Sequence, residues 1–471
     1  MERTIVPVAS LARRQSSKAS ESMLLLRCQH SYGKLQVWLP MDLMKLSAQL
    51  NAVGVSTTVV DLNIEPRPKD LDKYTNIGVG VLGPPYVPIS RRIAQSIFEV
   101  TEKPVLLGGP GVKFLEPGQF AAIYGKTGIQ ITNDGELARA LSLPVNIPSV
   151  YDVSIAQQIR LMERNKLTSY LGREFSFFVS QGCKYNCDFC VADKAVPETF
   201  SRTIKGDLDS LCSEADKLGI KQLAMYLTSL DTFQNPARFK EVLKVFIAAK
   251  QAFGIDFRLR GLSRIDSFLN AMSTVPELYE LIPKAGLKII GFGVDGTTKE
   301  EWKSQHKGNK SLASADEAFS ICKSLDTTPE NLMVMGFHDK DGTPVGTEKT
   351  LQNDVEFSID RALNYGVVAR PHLAKDMVPG SKGWKSQVWE RSRNKLLGDP
   401  DLFINLDFLM LGSEITHPNE EFRQAANRAF MEIIDTLPED LCTSNYLLPH
   451  TGDKERDKEI ENYNRKVPID R

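Results

Sequence analysis

Three of the seven cysteines fall within eight residues: Cys183, Cys187 and Cys190, in the segment SQGCKYNCDFC. Cys28, Cys212, Cys322 and Cys442 stand alone, so the thiols are too few and too uneven for a disulfide framework in a chain this long. Clustered thiols in a reducing compartment point to metal, whereas isolated ones read as small buried hydrophobes. Iron–sulfur clusters usually take four protein thiolates, so three local ones leave a coordination position for something else, much as an open position marks a catalytic zinc. A structural zinc site with a distant fourth ligand is the competing reading, and chance clustering of buried cysteines is another. Zinc ribbons normally pair two Cys-x2-Cys knuckles, and the sequence has no second one.

At 471 residues the chain exceeds the roughly 250–300 at which one core stops growing, so two or three domains are expected. The 58 basic and 59 acidic residues leave a net charge of -1, with no global field for nucleic acid or an anionic membrane. No apolar run approaches the roughly 20 residues that span a bilayer, and the N-terminus lacks the apolar stretch of a secretory signal. A cytoplasmic protein is expected. Residues 1–21, rich in Ser and Arg, read as a disordered tail, with an organelle transit peptide as the alternative.

Over residues 22–145 short apolar runs alternate with helical stretches: SMLLLRC, PMDLMKLSAQLNAVG, VSTTVVDLN, NIGVGVLG, ISRRIAQSIFEV, PVLLGG and GIQIT. This predicts an open, doubly wound Rossmann-like parallel sheet, with ligands beyond the carboxyl ends of its strands. A linker helix is expected over 146–172. A second alternation over 173–387 (FSFFVSQ, QLAMYLT, IDFRLRG, LKIIGFGVD, NLMVMGF, VVARPHL) gives six βα-type units, which fit a partial, TIM-like (β/α)6 barrel. Residues 388–471 read as a helical C-terminal region ending in a charged tail, EEFRQAANRAFMEIIDTL being its clearest amphipathic stretch. The three cysteines then follow the first barrel strand, on the face where barrel enzymes build active sites.

The run Cys183-Lys-Tyr-Asn-Cys187-Asp-Phe189-Cys190 resembles the Cys-x3-Cys-x-aromatic-Cys motif of the radical S-adenosylmethionine (SAM) superfamily. That resemblance implies a [4Fe–4S] cluster on the three thiolates, SAM chelating the open iron, and reductive cleavage to a 5′-deoxyadenosyl radical. It places Phe189 near the adenine. The second strand ends in Thr228-Ser229-Leu230-Asp231, a departure from the family's Gly-Gly-Glu-like turn, which holds the SAM amino group. Members with an N-terminal cobalamin domain often carry an Asp turn followed by Phe, which Leu230-Asp231-Thr232-Phe233 resembles; an Asp helix cap is the plain alternative.

By the same resemblance Arg264 suits capture of the SAM carboxylate, with Arg258 and Arg260 as competitors. Asp295 is a ribose or amino-group contact, or else a turn residue before Gly296. The stretch ARPHLAKDMVPGSKG puts His372 and Asp376 near the barrel mouth, His372 as a candidate proton donor or substrate contact, though a lone His is more often structural.

Residues 22–145 are similar to the cobalamin-binding fold preceding many such barrels, on Pro40, Asp42 and Leu43, on VVDLN, on Gly108-Gly109 and on NDGELARAL. Glycines let backbone approach a corrin closely, so Gly83, Gly108 and Gly109 join Pro85 and Tyr86 as cobalamin-site candidates, the double proline forming a rigid floor. The Asp-x-His-x-x-Gly segment that supplies a cobalt ligand elsewhere is missing, and His30 lacks its spacing. The resemblance therefore implies a cobalamin-dependent radical SAM enzyme, a methyltransferase acting on an unactivated carbon. Its substrate is a small molecule or peptide, its electron source a reductant such as flavodoxin or ferredoxin, and neither nucleic acid nor membrane is a partner. Radical rearrangement, cyclisation or dehydrogenation without methyl transfer needs the same residues. A non-catalytic zinc or cluster protein is the alternative from another class, and a first domain that has lost its cofactor also stays open.

Overall fold

The structure, a computed structural model, describes residues 21–32, 38–143, 146–187, 190–192, 196–307, 311–339, 341–443, 446–449 and 453–466. The alternating N-terminal pattern forms five parallel strands, β1 (Ser22–Arg27), β2 (Ser56–Asp61), β3 (Asn76–Gly80), β4 (Val105–Gly108) and β5 (Gly128–Ile131), in the order β2-β1-β3-β4-β5. Strand β1 lies between β2 and β3 and is apolar on both faces. Its Met23 and Leu25 join Leu43, Leu50 and Leu137 of the helices Met41–Ala52 and Asp134–Ala140, while Leu24 and Leu26 join Val87, Ile97 and Phe120 of Val87–Thr101 and Pro117–Tyr124. Burial on both faces is why the strand reads as a continuous apolar run. The winding reverses between β1 and β3, which opens the crevice where such sheets bind ligands.

The second sheet comprises β6 (Phe175–Phe178), β9 (Gln222–Thr228), β10 (Asp256–Ser263), β11 (Leu287–Gly293), β12 (Thr328–Met335) and β13 (Val368–Leu373), all parallel and adjacent in that order. A short antiparallel ribbon, β7 (Ser180–Gln181) with β8 (Thr199–Phe200), rises between β6 and β9. The sheet ends at β6 and β13, so the barrel is partial. Arg260 on β10 donates to Glu330 on β12 at 2.5 Å and lies 3.6 Å from Glu174 beside β6, a charge bridge across the strands. Phe257 and Leu259, on the other face of β10, pack outward into the helical layer.

The linker region is two short helices, Ala156–Leu161 and Arg164–Leu171, which pack with Met41 and Met44 into the barrel's core. Lys45, on that same edge of the first helix, is 1 % exposed and donates to Asp207 (2.8 Å), Thr203 (2.9 Å) and the Val153 carbonyl (2.7 Å). Tyr170 donates to Asp61 at the end of β2 (2.9 Å). These buried polar links set the two sheets against each other.

Beyond β13 the chain divides. Met377, Trp384, Trp389, Phe403 and Ile415 belong to the core of the first sheet, and the 3-10 turn Pro400–Leu406 lies against Pro84–Tyr86. The helix Glu420–Thr436 instead packs on the barrel, against Glu348–Tyr365 and β13. The outer edge of β13 is covered as well, since Ala369 exchanges backbone hydrogen bonds with Leu441 (2.8 Å) and Thr443 (3.1 Å). A covered edge cannot template pairing with another chain. No helix among the described residues is long and apolar enough to cross a membrane.

Candidate active site

The ribbon β7–β8 carries the cysteine loop above the carboxyl end of β6. Gly182 turns the chain with φ 97°, and a Cβ there would lie 2.5 Å from the Pro197 carbonyl, so glycine is required. The loop closes on itself through Val196 N–H to the Cys183 carbonyl (3.1 Å). Gln234, just after β9, clamps it from below: its carbonyl accepts from Lys184 N–H (3.2 Å) and its amide donates to the Gly182 carbonyl (2.9 Å). Cys183, Cys187 and Cys190 are half-buried. Burial pushes the Cys183 thiol above its usual value, and the other two sulfurs add to that shift. Among the described residues no three His, Cys, Asp or Glu side chains converge as tightly as one metal ion requires. The donor chemistry, three cysteine sulfurs on one loop with a nearby cation, fits an iron–sulfur group.

That cation is Arg264, at the carboxyl end of β10. Its Nη1 donates to Cys187 Sγ at 3.5 Å and its guanidinium lies 3.9 Å over the Tyr185 ring. Asp266 holds it bidentately at 2.9 and 3.1 Å. Asp231 lies beneath, fully buried. It accepts from Ser267 Oγ (2.5 Å), Ser263 Oγ (3.1 Å) and Arg264 N–H (3.4 Å), and burial raises its pKa against these bonds. Asp231 thus fixes the turn that presents Arg264. Of the competing arginines, Arg260 is bound to Glu330 and Arg258 is exposed.

Asp295, at φ 49° after β11, is ion-paired with Lys307, which also donates to the Gly293 carbonyl (2.6 Å). Burial pulls the Lys307 ammonium down to about 7, against the attraction of the Cys187 sulfur. Phe189 lies outside the described residues. Glu198, on the return arm of the loop, has its pKa raised to about 7 by burial, against hydrogen bonds from Ser180 and Ser229. Sequence reasoning missed Lys307, Glu198, Gln234 and Tyr185; of these only Tyr185 carried a local signal, its place inside the cysteine motif.

A cleft of about 580 Å³ separates the cysteine loop from the first domain, walled by Gly182, Val191, Val196 and Pro197 on one side and by Phe114 and Gly380 on the other. Loops after β4, β6 and β13 therefore face one space. No protein-family model and no curated protein matches the sequence. Solved structures do match. The radical SAM methyltransferase TsrM from Kitasatospora setae, with cobalamin and [4Fe-4S] cluster bound, aligns at TM-score 0.57 and 17% identity over 80% of this chain and 79% of that one. A second TsrM structure, with tryptophan substrate and the SAM analog aza-SAM, aligns equally well, covering 77% of its chain. OxsB, a cobalamin-dependent SAM radical enzyme with aqua-cobalamin and SAM bound, gives TM-score 0.55 at 14% identity over 82% of this chain, which spans 56% of OxsB.

The fold is that of cobalamin-dependent radical SAM enzymes. In this cobalamin-dependent radical SAM fold the candidates of the first domain divide into two groups. Gly83 lies in the loop after β3, just before the turn Pro84–Tyr86, Gly108 and Gly109 are at the end of β4, and chain packing accounts for Gly109: at φ 106° its Cβ would meet the Val81 carbonyl at 2.6 Å. Pro85 and Tyr86 are buried beneath the C-terminal turn. The Tyr86 ring stands edge-on to His30 at 5.4 Å. His30 has both nitrogens engaged, Nε2 with Asp407 (2.9 Å) and Nδ1 accepting from Tyr32 N–H (3.2 Å). His372, on β13, has its pKa lowered to about 4 by burial, against the Phe408 backbone and the Asp407 charge. Asp376 accepts from His338 N–H (2.8 Å).

Proposed function

We propose that the chain is a radical SAM enzyme in which Cys183, Cys187 and Cys190 hold a [4Fe–4S] cluster, and that it transfers a methyl group to an unactivated carbon with cobalamin. The observation that carries this reading is the three-thiol loop at the barrel's strand ends with the Arg264 guanidinium on Cys187. When bound, the cluster and SAM supply one-electron radical initiation and cobalamin supplies a transferable methyl group.

The chain's own residues prepare this chemistry. Cluster binding requires thiolates, so the raised Cys183 thiol must give up its proton, and Arg264 Nη1 lies at hydrogen-bond distance from Cys187 Sγ. The Asp266 fork, on Nε and Nη2, and the Tyr185 face hold that guanidinium in one orientation, with Nη1 on Cys187 Sγ. SAM then has Arg264 and Lys307 as cations for its carboxylate. The cleft between Phe114 and Val191 is the reaction chamber, with Val196 and Pro197 also in its wall. Cobalamin belongs on the same space, against the ends of β3 and β4. The substrate is a small molecule or peptide, and electrons come from a reductant such as flavodoxin or ferredoxin.

Anaerobic reconstitution tests the reading. About four irons per chain with SAM cleavage is the expected result, and it disappears in Cys183→Ala, Cys187→Ala or Cys190→Ala. Stoichiometric zinc without iron overturns it. Protein produced with cobalamin supplied is expected to carry a corrin in its ultraviolet–visible spectrum; a corrin-free protein with intact SAM cleavage removes methyl transfer and leaves radical chemistry of another kind.

A further inference from the structure

The two faces of the second sheet are unequally buried. Alternate residues of a strand point to opposite faces, and those toward the helices, such as Met225, Leu259 and Met333, are fully enclosed in the barrel core. On the concave face Phe178, Leu262, Leu332 and Val334 are only half-buried. A concave, mostly apolar face left half-open is the usual setting of a small-molecule site.

One charge on that face is loosely held. The Arg370 side chain, on β13, is 28 % exposed, and its ion pair with Glu330 is long, at 3.8 Å. The same Glu330 oxygen already accepts from Arg260 at 2.5 Å. A guanidinium keeps its charge and offers a planar fork of donors, so one that borders an apolar hollow suits a carboxylate. With Glu330 beside it, Arg370 matches a single negative charge rather than a phosphate dianion.

Strand register locates the group. Gly293 on β11, Leu332 on β12 and Arg370 on β13 are partners across the sheet, so Arg370 starts two strand spacings, roughly 10 Å, from Gly293. Lys307 occupies the space over Gly293, where an added Cβ would lie 2.6 Å from its Nζ. The two cations therefore flank Leu332, Lys307 on the side assigned above to SAM and Arg370 on the other. Arg370 also lies three residues before the end of β13, about 10 Å below the barrel mouth.

We propose that Arg370 binds the carboxylate of the substrate, an acid whose apolar body, about 10 Å long, lies along Leu332 and Val334 and brings its far end to the mouth. Arg370 takes no part in the chemistry; it selects the substrate and sets which carbon reaches the cysteine loop. This rests on the reading that SAM binds beside the cluster on Cys183, Cys187 and Cys190.

Equilibrium dialysis of the cluster-loaded protein measures its affinity for SAM and, with SAM bound, for phenylpropanoate and its neutral amide. Wild type is expected to bind the acid at least tenfold more tightly than the amide, the weight of one charged hydrogen bond. Arg370→Gln is expected to lose that preference while amide affinity, SAM affinity and iron content stay as in wild type. Were Arg370 only a neutraliser of Glu330, its removal would lower the melting temperature and leave the preference in place. A preference that survives Arg370→Gln, or a wild type that binds acid and amide alike or binds neither, overturns the assignment. If Arg370→Gln loads less iron, Arg370→Lys, which keeps the charge without the fork, supplies the comparison: a reduced preference supports the assignment and an unchanged one overturns it. A wild type that loads no iron and cleaves no SAM overturns the radical SAM reading and this assignment with it, whereas SAM cleavage without a preference for the acid overturns this assignment alone.

Discussion

Arg264 shows how much one side chain can be made to do by its neighbours. Asp266 fixes its fork, Tyr185 supports its face, and the buried Asp231 holds its backbone, so that Nη1 meets Cys187. A lysine keeps the charge but has neither fork nor plane. Arg264→Lys is therefore expected to load iron while losing about tenfold or more in SAM affinity, roughly the weight of one charged hydrogen bond, in the same dialysis assay. Gly182 acts through absence of a side chain. At φ 97° with the Pro197 carbonyl 2.5 Å from a would-be Cβ, Gly182→Ala must displace the loop's return arm. Its expected effect is a fall in iron per chain on reconstitution, larger than any fall in the protein's melting temperature.

Among the elements, the first helix, Met41–Ala52, belongs to two cores at once: Leu43 and Leu50 face the first sheet, Met41 and Met44 the barrel. Lys45 stands on the barrel side, bonded to Asp207 of the helix Ile204–Lys217. Removing one partner of a buried ion pair leaves the other charge uncompensated, which costs about 3–5 kcal/mol. Lys45→Ala is expected to lower the unfolding free energy by that amount in a urea titration. Because the pair joins the domains, the loss should appear in the transition of both. The ribbon β7–β8 is the other element that matters, since a two-residue pairing raises the cysteines into the cleft and brings Glu198 back to Ser229.

At the scale of the whole molecule, the segment around Asp407 to His417 is where first domain, barrel and C-terminal region meet. Asp407 bonds His30, Phe408 packs edge-on to His372 at 6.0 Å, and His417 stands 5.2 Å from His338. Burial would raise the Asp407 pKa, but His30, the Leu409 N–H and Lys375 outweigh it and keep the group below its usual value. Burial holds His372 near 4 and takes His417 well below its usual 6.5. Both histidines bind protons more readily in the unfolded chain, so each takes away stability as the pH drops from about 6.5 toward 4, while buried carboxyls such as Glu198, whose pKa burial raises, act in the opposite sense. Relative to wild type, the urea midpoint of His372→Gln is expected to be shifted upward on going from about pH 6.5 to 4.

The residues themselves marked what depends on short range. Three thiols in eight residues, a doubly wound alternation followed by six βα units, and Arg264 after the third barrel strand are local patterns, and local spacing is what a sequence displays. Tertiary structure decided the rest, because those contacts join distant residues. Gln234 reaches the cysteine loop across 52 positions and Glu198 reaches Ser229 across 31. The enclosure of Asp231 by serines 32 and 36 residues onward could not be read from its place in a turn. Amphipathic patterning showed that the C-terminal helix buries a face but not what it covers, and only the folded chain sends residues 377–415 to the first sheet and the helix Glu420–Thr436 to the barrel. Periodicity fixes which face of an element is buried; the partner is fixed by packing at long range, where the free energy of the site is settled.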